Sequence, residues 1–218
     1  NTGVATGNKS LLTGGTGYVR LADNYYQAKN FVQADTADKT TLNGSTTFLG
    51  FERNTLNKKQ FANEGSLLSL RARYVNLRER TVPGSTSSSK TIDIDQHEWI
   101  QLRFHYEDYV FTRKHYRLGL TTDAVYSNLP RLNNYTVSVV NAPAYEPILE
   151  MHTLFLPEFR APAFVGIGIK NVISIRSNMD LRIEAYGFQP YQEILKTESN
   201  NTEYGKPFDK RYYLASAG

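Results

Sequence analysis

The sequence predicts an all-β protein, built as an antiparallel transmembrane β-barrel. Apolar and charged residues alternate with a period of two, and short and long connections alternate along the chain. The predicted strands run for about 10 to 14 residues, whereas strands of soluble sheets average about 5 to 6. Short turns at one end, long loops at the other and strands with one apolar and one charged face are typical of outer-membrane barrels.

The period-two pattern predicts seven strands and the start of an eighth. They cover residues 18–21, 47–53, 66–79, 97–109, 116–126, 163–173, 179–191 and 211–215. Between them lie the polar connector 54–65, the loop 80–96, the short link 110–114, the excursion 127–160, a tight turn near Ser177-Asn178 and the loop 195–210. No repeat or linker divides the chain, so residues 1–218 are predicted to form one domain.

The two faces of these strands have different chemistry, because successive side chains of a strand point to opposite sides. In the strand at 179–191, the side chains expected to face lipid are Met179, Leu181, Ile183 and Ala185. The charged side chains expected to face a polar lumen are Arg71, Arg73, Arg103, Glu107, Arg117, Asp123, Lys170, Asp180, Arg182 and Glu184. Aromatic residues near the strand ends favour the membrane barrel: Trp99, Tyr109, Phe111, Tyr116, Tyr126, Phe188 and Tyr191.

The composition excludes several classes of protein. No apolar run approaches the roughly 20 residues of a membrane-spanning helix. The net charge is +4 and is spread along the strands, which disfavours a nucleic-acid partner. The absence of cysteine excludes disulfides and thiolate metal sites. The 15 tyrosines and 11 phenylalanines are residue types that favour strands.

No catalytic or metal-binding pattern is found. The chain lacks a Gly-x-Ser-x-Gly elbow, a His-Glu-x-x-His pair and a phosphate-binding glycine loop, and its four histidines are scattered. Gly166 and Gly168 are interpreted as strand glycines that admit a close neighbour. We therefore expect no enzyme activity, cofactor or metal in this chain. Because a soluble antiparallel sheet also alternates, a soluble β-sandwich or barrel that binds a lipid or glycan remains the alternative.

The connector resembles a known family motif. Residues 52–65, with Asn54, Thr55, Leu56, Asn57 and Gly65, resemble the periplasmic turn of the Omp85 (BamA-like, bacterial surface antigen) superfamily, which precedes a long strand. The whole chain resembles more specifically the C-terminal barrel region of the patatin-like phospholipases of Bacteroidota. The supporting stretches are 24–27, 54–60, 83–86, 155–161 and 181–191.

The resemblance implies a location and a topology. The chain would lie in the bacterial outer membrane in contact with its lipid, with the connector periplasmic and the excursion 127–160 extracellular. In that superfamily the corresponding loop folds back into the lumen, and its arginine pairs with acidic residues of the wall. Here Phe159-Arg160-Ala161 is the nearest match. We therefore expect Arg160 to fasten the loop to Asp180 or Glu184, since a guanidinium can bind carboxylates bidentately.

The resemblance also implies that the chain is a fragment. A patatin-like hydrolase domain with a Ser-Asp dyad would lie upstream of Asn1, and two further strands after Gly218 would complete a barrel of about sixteen, of which this chain would supply about eight. The expected function is then an outer-membrane barrel segment that anchors or exports the upstream phospholipase domain.

Overall fold

The computed structural model describes residues 2–28, 30–176 and 179–218, and nearly all of its regular structure is β. The strands are β1 (Thr2–Gly7), β2 (Ser10–Tyr25), β3 (Asp38–Asn54), β4 (Ser66–Val82), β5 (Asp93–Arg113), β6 (Tyr116–Ser127), β7 (Phe164–Arg176), β8 (Met179–Pro190), β9 (Ile194–Lys196), β10 (Thr202–Tyr204) and β11 (Tyr212–Ala217). One α-helix, α1 (Tyr135–Asn141), and two 3-10 turns, Leu149–Thr153 and Pro157–Phe159, lie between β6 and β7.

Nine strands form one antiparallel sheet in the order β1-β2-β3-β4-β5-β6-β7-β8-β11, and β9 and β10 form a separate hairpin. The prediction of an all-β antiparallel fold is confirmed. The sheet is open: within residues 2–28, 30–176 and 179–218, β1 and β11 each pair with one neighbour and not with each other. A closed barrel is therefore not formed by the described part of this chain alone.

Several strands are longer than the sequence predicts. β5 has 21 residues, and β3 and β4 have 17 each. The sequence places a loop up to Asn43, but β3 begins at Asp38 and pairs with β2 from Tyr25↔Asp38 to Ser10↔Arg53. β1 is not predicted at all. Both regions are rich in threonine and glycine and lack strong alternation, so their strand conformation depends on pairing with a neighbour.

The connections alternate between the two ends of the sheet, and their lengths follow the predicted pattern except at 55–65, whose 11 residues exceed the 10 of 83–92. One end, here called the short-turn end, carries residues 8–9, 55–65 and 114–115, and the predicted turn at Ser177-Asn178 lies outside the described residues. The other, the long-loop end, carries 26–37, 83–92, 128–163 and 191–211. The segment 128–163, here called the long loop, is the largest of them.

The two faces of the sheet differ as the alternation predicts. On the outer face, large apolar side chains are exposed: Ile167 is 59% exposed, Leu102 48% and Ile183 48%. The residues of 179–185 that were predicted to share this face are exposed together. On the opposite, inner face the side chains are mostly buried or half-buried, because the long loop packs against it.

The buried core therefore lies between the inner face and the loops. In one cluster Val137 and Val139 of α1 pack with Leu42, Leu77 and Trp99 of the sheet. In a second, Tyr145 and Ala161 of the long loop pack with Phe164, Tyr186 and Phe188. Among the described residues, no helix is long and apolar enough to cross a membrane.

Three of the aromatic residues near the strand ends do not face outward. Trp99, Tyr109 and Phe188 are 2%, 8% and 2% exposed and point inward, so they belong to the core and not to an outer girdle. Trp99 and Tyr109 lie an even number of residues from the inward Arg103 on β5, and Phe188 lies an even number from the inward Glu184 on β8. Their side chains therefore point to the same, inner face. Tyr126 does lie on the outer face, where it is 60% exposed.

Candidate functional site: the charged inner face

Charged side chains of neighbouring strands pair on the inner face. Lys170 of β7 lies with its Nζ 2.8 Å from Glu107 Oε2 of β5, and both side chains are about nine-tenths buried. Arg103 of β5 donates to both carboxylate oxygens of Asp123 on β6. The predicted inward orientation of these residues is confirmed by their burial. Because each of these charges is paired with an opposite charge, other segments can cover the inner face without leaving a buried charge unpaired.

Two glycines of β7 leave room for tyrosine rings against this face. A Cβ at Gly166 would lie 2.2 Å from the ring of Tyr145, and one at Gly168 would lie 2.2 Å from the ring of Tyr186. Both distances are too short for any side chain. The sequence interpretation of these residues as glycines that admit a close neighbour is confirmed.

Residues 54–65, the connector between β3 and β4, form a closed turn. The Asn54 Oδ1 atom accepts from the backbone N–H of Leu56, and the backbone N–H of Thr55 donates to the Ser66 carbonyl at 2.8 Å. The Asn57 Nδ2 atom donates to Asn63 Oδ1 across the turn. These contacts give the polar residues of the motif a structural role in shaping the connector.

Gly65 ends the connector in a backbone conformation that favours glycine. Its φ is +92°, and an added Cβ would lie 2.2 Å from the carbonyl oxygen of Thr55. A residue with a side chain would therefore be strained and would also clash at this position. The glycine of the motif is required by geometry.

The connector folds over the inner face, and we call residues 55–65 the strap. The carbonyl of Ala62 accepts from the hydroxyl of Tyr109 on β5 and from Arg182 Nη1 of β8 at 2.9 Å. Asn63 Nδ2 donates to Asp180 Oδ2 of β8 at 3.1 Å. Arg117 of β6 reaches Glu64 of the strap at 3.4 Å. The strap joins β3 to β4, yet it is fastened to β5, β6 and β8.

A cavity of about 500 Å³ lies between the strap, the long loop and the inner face of the sheet, which we also call the wall. Its charged lining carries both signs, and the wall contributes Glu107, Lys170, Asp180, Arg182 and Glu184. Arg182 donates to Glu184 at 2.8 Å, and Glu184 also accepts from the hydroxyl of Tyr186 at 2.7 Å. The wall charges are thus mostly neutralised by each other, and no catalytic group is singled out among them.

The predicted ion pair between Arg160 and Asp180 or Glu184 is wrong. Arg160 Nη1 donates to the carbonyl of Ala142 at 3.1 Å, just after the C-terminus of α1, and its Nη2 lies 3.9 Å from Glu146. Arg160 is near the long-loop end, whereas Asp180 is at the short-turn end of β8 and binds the strap. Burial lowers the pKa of Arg160 and the nearby Glu146 carboxylate opposes that shift. The arginine therefore stabilises the long loop internally.

Two asparagines attach the long loop to the wall instead. The backbone N–H of Asn133 donates to Glu79 Oε1 of β4 at 3.0 Å, and its side chain donates to Asp93 of β5 at 3.0 Å. Asn134 Nδ2 donates to Asp23 Oδ2 of β2 at 2.9 Å. The carboxylates that hold the loop are therefore Glu79, Asp93 and Asp23 and not the expected Asp180 or Glu184, and their partners are N–H groups of asparagines and not a guanidinium.

Tyr204 of β10 provides a further attachment. Its hydroxyl donates to the carbonyls of Leu129 and Pro130 at the start of the long loop, at 3.0 and 3.2 Å. Burial raises the pKa of Tyr204 to about 12, so its hydroxyl remains protonated and able to donate at neutral pH. The loop at 191–211 and the long loop are thereby joined.

Asn134→Ala is expected to lower the free energy of unfolding by about 2 kcal/mol. Asn134 is 1% exposed, and its Oδ1 atom caps α1 by accepting from the backbone N–H of Val137 at 3.0 Å. The substitution removes this cap and leaves Asp23 without the amide donor. Urea unfolding followed by the fluorescence of Trp99, which shares a cluster with Val137, measures the loss. The exposed neighbour Thr136→Ala is the control, and equal stability of the two variants would contradict the assignment.

One group of side chains on the inner face has the composition of a metal site. Ligand atoms of Glu79, Asp95 and His97 lie within 4.8 Å of one another. Sequence spacing alone did not indicate this group, because Glu79 and Asp95 meet by pairing between β4 and β5. Glu79 uses its oxygens to accept from the backbone of Asn133 and to contact His97 Nε2 at 2.8 Å. In the described structure the group therefore functions as an attachment point of the long loop.

These features define a class of protein: a long-stranded antiparallel sheet with an exposed apolar outer face and a charged inner face covered by a strap and a long loop. A scan against protein-family models, a search of curated proteins and a search of solved structures each found no match. The function is therefore inferred from the geometry of the chain and from the motifs of its sequence.

Proposed function

We propose that this chain is part of a transmembrane β-barrel in the bacterial outer membrane. The observation that carries the proposal is the outer face, where apolar side chains of successive strands are exposed side by side. They include Leu70 at 43%, Ile100 at 49%, Val165 at 50%, Ile169 at 47% and Met179 at 56% exposure. A continuous apolar face of this kind is stable against lipid and is a liability in water.

The dimensions of the strands support the proposal. A transmembrane β-strand needs about 9–11 residues when tilted, and each strand from β2 to β8 has at least 12. The backbone groups of these strands are paired along the sheet, as a hydrocarbon environment requires. Exposed tyrosines on the outer face, Tyr18 at 73% and Tyr126 at 60%, suit the membrane–water interface, since their rings are apolar and their hydroxyls polar.

The topology sets a condition on how such a barrel closes. The nine strands alternate in direction, so the two edge strands β1 and β11 run parallel to each other. A fully antiparallel barrel has an even number of strands. Closure by antiparallel pairing therefore needs an odd number of additional strands, which agrees with the expectation that this chain supplies part of a larger barrel.

We further propose that the barrel anchors or exports a patatin-like phospholipase domain of the same polypeptide. This part depends on the resemblance in residues 52–65 and 181–191 and on the hydrogen bonds by which Asn54, Thr55 and Asn57 shape the connector. Removal of the barrel from the full-length polypeptide is expected to release lipid acyl hydrolase activity from the membrane fraction. Activity that stays membrane-bound without these residues would contradict the anchoring role.

Fluorescence quenching by lipid tests the membrane proposal directly. Trp99 is the only tryptophan of the chain and lies on the inner face. The variant Trp99→Phe with Ile167→Trp moves the only tryptophan to the outer face. In vesicles of brominated lipid, we expect strong quenching at position 167 and much weaker quenching of Trp99 in the unchanged protein. Equal quenching, together with a monodisperse protein in the absence of detergent, would favour the soluble lipid- or glycan-binding alternative.

A further inference from the structure

We propose that the strap is a releasable gate over the short-turn end of the inner face, and that Arg182 is the residue that keeps it closed. When released, the strap would open the cavity of about 500 Å³ to small polar molecules from that end. This goes beyond a role in anchoring, and its test needs only the folded protein in detergent, so it does not depend on the outcome of the membrane test.

The strap reaches far across the sheet. It leaves the sheet between β3 and β4, but Asn63 contacts Asp180 and Ala62 contacts Arg182, both on β8. Adjacent strands are about 4.8 Å apart, so β4 and β8 are separated by about 19 Å along the sheet. The strap makes these contacts by lying across the inner face, where it reaches Tyr109 on β5, Arg117 on β6, Val172 on β7 and Arg182 on β8.

The strap is held mainly by polar contacts. In its apolar contact with the wall, Ala62 packs with Tyr109 and Val172, and Leu56 packs partly against them. Its tip, Lys58 to Phe61, is exposed. Segments with little apolar burial and an exposed backbone open locally at a lower free energy than the core strands. The strap can therefore detach while the sheet stays folded.

Arg182 is the centre of the polar contacts. Its guanidinium donates to the Ala62 carbonyl at 2.9 Å and to the Tyr109 hydroxyl at 3.3 Å, and it is held in place by Glu184. It also lies 5.6 Å from the ring centroid of Phe61. Phe61 has a φ of +52°, a conformation that is strained for a residue other than glycine. Loss of Arg182 removes the contacts that hold this strained residue and favours release.

The residues where the strap leaves and re-enters the sheet are hydrogen-bonded to each other, and these bonds do not depend on the strap's contacts with β5 to β8. Thr55 and Ser66 are joined by a backbone hydrogen bond of 2.8 Å, and the Thr55 hydroxyl donates to the Ser66 carbonyl at 3.0 Å. The Ser66 N–H donates in return to the Thr55 hydroxyl at 2.8 Å, so the ends of β3 and β4 are joined at this pair, and a two-residue turn is the shortest connection between paired strands. Residues 56–65 can therefore be replaced by Asn-Gly without changing the pairing of β3 with β4.

Cysteine labelling tests the gate, and the chain contains no cysteine of its own. Val172→Cys places a thiol under the strap, where Val172 is fully buried. Val125→Cys is its matched control, since Val125 also points inward and is 5% exposed, but it is covered by the long loop. Each is introduced alone and labelled with a water-soluble maleimide. In the background of Arg182→Ala, we expect labelling at position 172 to be about tenfold faster, and labelling at position 125 to be unchanged.

Two further variants complete the test. Arg73→Ala removes an inner-face arginine that bonds Thr46 and does not contact the strap, so it should leave the labelling rate at position 172 unchanged. Replacement of residues 56–65 by Asn-Gly should raise that rate to the rate of an exposed thiol. The proposal is overturned if position 172 stays protected in both the Arg182→Ala and the strapless proteins. It is also overturned if labelling at position 125 accelerates equally, because the wall itself would then be loosened.

Discussion

Ile169→Arg is expected to destabilise the folded protein in a lipid bilayer by about 2–4 kcal/mol. Ile169 lies in the middle of β7 on the outer face and is 47% exposed. A charge placed there would be forced into hydrocarbon if the outer face meets lipid. In water, the same exchange at an exposed site would change the stability by only about 0.5 kcal/mol. The size of the effect therefore reports which solvent the outer face contacts.

Depth provides the control for this prediction. Met179 is also on the outer face and is 56% exposed, but it lies at the short-turn end of β8. Near the membrane interface an arginine costs only about 0–1 kcal/mol, so Met179→Arg should be much less destabilising than Ile169→Arg. Urea unfolding of both variants in vesicles, followed by Trp99 fluorescence, gives the two values. Small and equal effects at the two positions would contradict a lipid-facing surface.

The alternation of the strands was predictable because it is a local property. Side chains of β8 alternate between the two faces of the sheet, so the outward and inward sets of 179–185 can be assigned without knowledge of the neighbouring strands. The alternation of short and long connections was also visible, since Pro83-Gly84 and the polar loops mark the ends of the strands. These features depend on residues that are close in sequence.

The limits of the strands were harder to predict because they depend on pairing. β1 contains glycine, threonine and alanine and has no apolar alternation, and its strand conformation results from pairing with Leu11 to Gly14 of β2. The first half of β3 was interpreted as a loop because of its threonines and asparagine. In the structure, Thr40 and Leu42 point inward and are fully buried beneath the long-loop end. Only the three-dimensional position explains why these residues form a strand.

The contacts of the inner face were not predicted from the sequence. An ion pair of Arg160 with Asp180 or Glu184 was expected to hold the long loop, whereas Asp180 accepts from the amide of Asn63 in the strap, 117 positions away. Arg160 was expected there because of its motif, whereas the structure places it against the carbonyl of Ala142. Contacts between segments so distant in sequence depend on which part of the inner face the strap covers and which part the long loop covers.

Glu107→Leu is expected to destabilise the protein by about 3–5 kcal/mol, because it leaves Lys170 buried without its partner. The two side chains are 10% and 12% exposed, and the ion pair joins β5 to β7 across β6. A lone ammonium group in this position loses both its hydration and its counter-charge. Lys170→Met should be costly for the same reason, since Glu107 would then be the unpaired charge.

The double variant separates the net stabilisation that the ion pair provides from the destabilisation caused by leaving one charge unpaired. In Glu107→Leu with Lys170→Met, no charge is left uncompensated, and two apolar side chains of similar volume occupy the same space. Replacement of a buried ion pair by apolar residues is often neutral, so the double variant should be more stable than either single variant. Urea unfolding of all four proteins gives the coupling energy. If the two single effects simply add, the inner face at this position must be hydrated, and each charge is then stabilised by water and not by its partner.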